Sequence, residues 1–284
     1  MGRELWPPLY RALREVGKDF RQKYASYQPW VIAAVLLWAA VPDRPLSWAC
    51  RPAHWPTTRL RPLRLPSAAT LRRRVAGLPV GALLWALEQR LRQRGERRRL
   101  APLGGTPLPV SNVSKGPDAK RGRAAGGMGK GYKLHTLWAG RPLPQAWEVT
   151  PLHEAESVVG QRLVRRAPGA GYLLGDGNYG SSPLYDEAAA AGYQLVTPLP
   201  ENAGQGHRYQ SPHRLRCRGL RQGPFGRELY ALRYRIEQAY GAAVSFGGGL
   251  GPLQAWVRGH ERVRSWVWAK LLINAARILR NQDL

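Results

Sequence analysis

A short apolar strand at residues 172–175, a helix at 184–191 and a second strand at 194–197 follow one another almost without a gap. Ser182 reads as the N-cap of that helix with Pro183 at its first position, and Gly192 ends it. Two strands joined by so short a helical crossover pair parallel, with the helix on a face of their sheet. The fold class read from this unit is α/β.

The strands around it have the same two-residue period from residue 100 onward. Residues 103–110 read as a strand, and residues 132–138 and 143–149 as two more joined by the tight turn Ala139-Gly140-Arg141. A helix is expected over 154–166. After a polar, Arg-rich connection over 198–227 come a helix over 228–244, a glycine-rich break at 247–251 and a long C-terminal helix. That last helix carries Val263, Val267, Leu271, Ala275 and Ile278 at helical spacing and is expected to pack on the sheet.

Residues 1–99 read instead as helices broken by proline loops: an amphipathic stretch over 9–24, an apolar run over 30–41, and a loop over 42–66. The apolar run is bounded by Pro29 and Pro42. It falls short of the roughly 20 residues that span a bilayer, so it is expected as a buried helix with no membrane role. Ser67 is a good N-cap for a helix over 68–76 that Gly77 and Pro79 stop, and a further helix over 83–94 leads into a basic run at 97–99. The expected division is a helical, DNA-binding domain at 1–99 and a catalytic domain at 100–284. Arg72, Arg73 and Arg74 lie just inside the helix capped by Ser67. Three such residues suit either a solvated basic face or insertion into a DNA groove.

Charge narrows the partner. The chain carries 44 Lys+Arg against 18 Asp+Glu, a formal net charge of +26. A polyanion is the natural complement, and the dominance of Arg favours phosphate and base-edge contacts. Genomic base composition inflates Arg together with Ala, Gly and Pro, but it does not explain the scarcity of acids. The two cysteines, Cys50 and Cys217, lie far apart without CxxC spacing, which suits a reducing cytoplasm and gives no zinc ribbon. No secretory signal is visible at the start.

Phosphodiester cleavage by two metals needs carboxylates converging from separate elements. Two of the few acids are well placed for it. Asp176 follows the strand Tyr172-Leu173-Leu174-Gly175, where the crevice of an open sheet begins, although an aspartate before glycine is also an ordinary turn residue. Glu237 shares a helical face with Tyr230, Arg233 and Val244, an arrangement that also suits a plain surface ion pair.

The spacing of Tyr230, Arg233 and Glu237 resembles the C-terminal motif of the insertion-sequence type 4 family of bacterial DDE transposases. Leu174-Gly175-Asp176-Gly177-Asn178-Tyr179 is similar to that family's second-aspartate motif, and Lys130-Gly131-Tyr132-Lys133-Leu134-His135 to its second core strand. With residues 65–74 the likeness runs over most of the chain. It implies a ribonuclease-H-like sheet, catalytic and metal-binding roles for Asp176 and Glu237, and a two-metal site for Mg²⁺ or Mn²⁺. Double-stranded DNA, as element ends and target, would be the partner, held by a homodimer in the synaptic complex of a nucleoid-associated enzyme. Tyr230, Arg233, Arg72, Arg73, Arg74, Lys130 and Lys133 would contact DNA. The chain departs from the pattern twice: the first catalytic aspartate falls by register on Gly104, and Val244 stands where the family has Lys. Such a copy is expected to be impaired; Asp118 is an alternative ligand, but it lies fourteen residues downstream in a Gly- and Lys-rich loop.

Other signals are weaker. The stretch 122–131 is glycine-rich but lacks P-loop spacing and reads as a flexible basic loop near DNA. His135 reads as a pocket or core residue, and the tryptophans as packing groups, with Trp138 or Trp147 a possible platform for an extruded base. Three functions remain: an active transposase, a DNA-binding derivative without turnover, and a basic RNA-binding protein.

Overall fold

The computed structural model describes residues 3–96, 98–111, 116–124, 126–199, 209–244 and 249–280. The first helices are α1 (Trp6–Val16), α2 (Pro29–Ala40), the short α3 (Leu46–Ala49), α4 (Ala68–Arg74) and α5 (Leu78–Gln93). Strands β1 (Leu100–Val110), β2 (Lys120–Ala124), β3 (Gly127–Leu137) and β4 (Ala146–Pro151) follow. Then come α6 (Glu156–Arg166), β5 (Gly171–Leu174), α7 (Ser182–Ala190) and β6 (Tyr193–Val196). The chain continues through α8 (Pro212–Gln222), α9 (Pro224–Ala231), α10 (Tyr234–Val244) and α11 (His260–Ile278). Contacts divide it into two compact units, Met1–Glu96 with Ala242–Leu284, and Arg97–Gly241.

In the helical unit α2 is apolar on every side and buried from Val31 to Ala40, as a helix at the centre of a bundle must be. Its Trp38 packs with Trp6 and Trp55, the three ring centroids 5.2–5.5 Å apart. The Ser67 hydroxyl accepts the Thr70 N–H at 3.2 Å, the predicted cap. Gly77 and Pro79 differ from expectation, because Gly77 is the N-cap of α5 and Pro79 lies in its first turn. The C-terminal helix corrects another expectation. It packs on α1, α2 and α5 rather than on the sheet. Its Lys270 is buried and donates to Ala40 O at 2.6 Å while pairing with Asp43 at 2.7 Å.

The second unit is built on a six-stranded mixed sheet. β1 lies between β3, antiparallel, and β5, parallel, and β6 continues parallel beyond β5. β4 pairs with the C-terminal half of β3, and β2 with its N-terminal half. Helices flank the sheet, and the antiparallel β1, β3 and β4 followed by the parallel β5 and β6 give the expected ribonuclease-H-like order, with β2 a further antiparallel strand on β3. The helix between β5 and β6 begins at Ser182, one residue after its cap Ser181, which makes no side-chain cap bond.

Two sequence expectations fail here. The stretch 122–131 is the β2–β3 hairpin rather than a loop, turning through Gly126 and Gly127 at φ 82° and 136°; Ala125 lies outside the described residues. Glycine hides the strand pattern because backbone crowds it: a Cβ on Gly122 would come 2.4 Å from Leu152 O, and one on Gly131 2.4 Å from Leu108 O. The expected helix over 228–244 is two helices, α9 and α10, separated at Leu232 and Arg233. The connection before them contains α8, while residues 200–208 lie outside the described residues, as do 247 and 248 of the glycine-rich break.

Gly131→Ala is expected to destabilise the sheet unit by about 2–4 kcal/mol, since the new methyl meets backbone that must move. Gly219→Ala, at a position in α8 with open space around it, is expected to stabilise by about 0.5–1 kcal/mol. Urea unfolding of both variants checks the pair; equal effects would count against the backbone packing.

Candidate functional site

The parallel ladder between β1 and β5 pairs Leu100, Ala101 and Pro102 with Tyr172, Leu173 and Leu174. Carried two residues further, that register sets Gly104 beside Asp176, at the carboxyl end of β5 where open α/β sheets place their ligands. Asp176 also plays the turn role: it caps the 3₁₀ turn Gly177–Tyr179, its Oδ1 accepting the Asn178 N–H at 2.8 Å. No cation pairs with it among the described residues. The neighbouring acids are engaged. Glu148 holds Arg162 and Arg166, Glu154 holds Arg162, Glu187 holds Arg165, and Glu156 holds Lys133 at 2.6 Å.

Three tyrosines surround Asp176. Burial raises the pKa of Tyr179, Tyr230 and Tyr240, and the negative charge of Asp176 adds to each rise. Arg221 stacks its guanidinium 4.3 Å from the Tyr230 ring centroid. The Tyr240 hydroxyl donates to Gly104 O at 2.7 Å and lies 2.7 Å from Thr136 Oγ1. Sequence reasoning quoted Tyr179 in the Asp176 motif but missed Tyr240 and Thr136, and gave Glu156 no place at this corner. Tyr240 falls one turn beyond Ile236, and that step was the available signal.

The place of a first carboxylate is filled. A Cβ on Gly104 would come 2.9 Å from Ile236 Cγ1 and 3.7 Å from the Tyr240 ring. Ile236 therefore faces the strand. Glu237, the next residue on α10, is turned out, its side chain 68% exposed and paired with Arg233 at 2.9 Å. Tyr230 stands on α9 and Arg233 in the break, so these residues do not share the continuous helix expected of them.

The basic residues divide as well. Arg72 and Arg73 are exposed on α4, and Arg74 is half-buried with Gln22 Oε1 at 3.4 Å. Lys130 is half-buried on β3 opposite Val110 and Arg121. Lys133 corrects the expectation of a DNA contact: it is buried under Gly105, and its ammonium is committed to Glu156.

Residues 98–271, more than half of the chain, match the family described as "Transposase DDE domain". The chain belongs to this family. Among solved structures, the piggyBac transposase synaptic complex with hairpin DNA is 11% identical, with a TM-score of 0.33, over 72% of this chain and 51% of that chain. The DDE-domain chain thus spans about half the length of that transposase. No curated protein matches it.

DDE transposase domains generally use divalent metals, yet the side chains present here do not fit a two-metal centre. Among the described residues no three of His, Cys, Asp and Glu come together as a metal group. Gly104 offers no ligand, Ile236 takes its space, and Glu237 is engaged with Arg233. Asp118 stands in the turn before β2 and joins no such group.

Behind the corner lies His135, fully buried, with Nε2 3.0 Å from Thr150 Oγ1 and Nδ1 without a partner. Burial, then the charges of Lys133 and Arg162, push its pKa down to about 3 from 6.5. The unfolded chain binds this proton near pH 6.5 and the folded one only near 3, so the folded state gains most from neutral His135 above pH 6.5. Between those values stability is expected to fall with pH by up to about 1.4 kcal/mol per unit for this one group. His135→Gln should flatten that slope in urea unfolding between pH 7 and pH 4, taken as the range of about three units over which one such group titrates. An unchanged slope would place the titration elsewhere.

Proposed function

We propose that this chain is a transposase of the bacterial insertion-sequence type 4 kind that binds the ends of its element as a homodimer, with its DNA-cleaving step impaired. The reading rests on one observation. Asp176, a carboxylate with no cation partner among the described residues of a chain of net charge +26, stands just past the end of β5 on the Gly104 side, where a second ligand would be needed and Gly104 offers none. The excess of Lys and Arg supplies affinity for the phosphate backbone independently of that step. No described helix is long and apolar enough to cross a membrane.

In this reading Asp176 and Glu237 are the remaining acidic positions of the centre, and Tyr230 and Arg233 grip the strand beside them. A second reading, a DNA-binding derivative without turnover, is favoured by Ile236, which fills the corner and leaves no room for a carboxylate without repacking.

Nicking of supercoiled plasmid in Mg²⁺ or Mn²⁺ separates the two. Wild type and Gly104→Asp alone are both expected to be slow. Gly104→Asp combined with Ile236→Ala should gain on the order of a hundredfold, the scale of one restored electrostatic group, and Asp176→Ala should abolish that gain. Fast cleavage by the wild type would overturn the impairment. A double variant that binds DNA but gains nothing would favour the second reading.

A further inference from the structure

The unit built from the first five helices and α11 has a basic feature apart from the arginines of α4. Arg11 and Arg14 lie one turn apart on α1, Lys18 in the turn after it and Arg21 in the irregular segment beyond. With Trp30 they line a cleft of about 600 Å³. The single acid in this lining, Glu15, is bound by Lys18 at 2.9 Å, and that bond, with help from Arg90 on α5, holds its pKa below the ordinary range. Arg11 and Arg21 form no ion pair among the described residues. Arg14 lies over the Trp30 ring, 5.7 Å from its centroid.

The wall that carries the indole is set by Gly17. A Cβ there would come 2.7 Å from Trp30 Cβ, so only glycine lets the end of α1 touch the start of α2. Trp30 sits in the first turn of α2, an end with no acidic side chain and no side-chain cap, where the backbone N–H groups leave partial positive charge. Two cations one turn apart on α1 and two more just past its end, next to a half-exposed aromatic ring, match the two things a nucleic-acid strand presents: successive phosphates and the flat face of a base.

We propose that this cleft binds a single DNA strand, its phosphates on Arg11, Arg14 and Arg21 and a base against Trp30. The inference rests on the reading that the chain acts on DNA, and it adds a contact for strand that has left the duplex. A carboxylate ligand would need only one of these cations and would leave Trp30 without a role, whereas a phosphodiester strand uses the whole row.

The test is fluorescence anisotropy of the full chain with labelled oligothymidylate and with a matched duplex, over about 50–200 mM salt, the range in which phosphate contacts are most evident. Arg11→Ala with Arg21→Ala should weaken single-strand binding about tenfold and lower the slope of log affinity against log salt by about 1.4, the value for two phosphate contacts on single strands. Arg59→Ala with Arg64→Ala removes the same charge from exposed positions outside the cleft and should leave that slope unchanged. Trp30→Leu should cost a further fivefold or more, within the range of about 1–3 kcal/mol for base stacking, and Trp30→Phe should recover most of it. Equal losses from the two arginine pairs would mean diffuse attraction and overturn the cleft while leaving DNA binding intact. A wild-type chain that binds neither probe would overturn the DNA reading itself.

Discussion

Pro102 opposite Leu174 is the last pair of the parallel ladder between β1 and β5. Everything said of the site depends on that ladder, because its register, carried two residues further, sets two positions 72 residues apart in the chain, 104 and 176, opposite one another. Parallel pairing cannot be made by a hairpin; it requires the intervening β2, β3, β4 and α6 to be placed first. β1 is held on its other edge by the longer antiparallel ladder to β3, from Leu103 opposite Leu137 to Val110 opposite Lys130. The strand that carries Gly104 is therefore fixed on both sides. Ile236 and Tyr240 meet a rigid backbone there, which is why a missing side chain at one position becomes a packed corner rather than a void.

Charge organises the rest. With more than twice as many cations as acids, a carboxylate of this chain finds an arginine or lysine close by. The Arg162, Glu148, Glu154 and Arg166 group on the β4 and α6 side is the clearest case. Several of these pairs are partly exposed and contribute little stability each. Their consequence is chemical. They withdraw those acids from any other task, whereas Asp176, among the described residues, accepts just a backbone N–H two residues on.

The elements legible in the sequence were those whose local chemistry and tertiary role agree. α2 is apolar on all sides and central, Ser67 caps as its type requires, and the strand, helix, strand unit ending at β6 has proline and glycine at its boundaries. The motif order likewise put Gly104 on β1 and Asp176 just after β5. What was not legible depended on distant partners. β2 was hidden because glycines at 122 and 131 answer to the backbone of Leu152 and Leu108, and the burial of Lys133 answers to Glu156 on another element. The orientation of Glu237 could not be read either. The break at Leu232 and Arg233 resets the helical phase, so counting from Tyr230 does not carry across it. α11 has a pattern that fits any apolar surface, and only the fold shows that its surface is helical.

The company kept by α11 also sets a timetable. α2 emerges from the ribosome early, all of it oily, but the helix whose Lys270 reaches Ala40 begins some 165 residues after the end of α5, and after the whole sheet. At about 5–20 residues per second that is a wait of roughly 8–30 seconds. During that interval the nascent bundle has its α1 and α5 walls and lacks a third, and it is then most open to sticking to its neighbours or to being taken up by a chaperone.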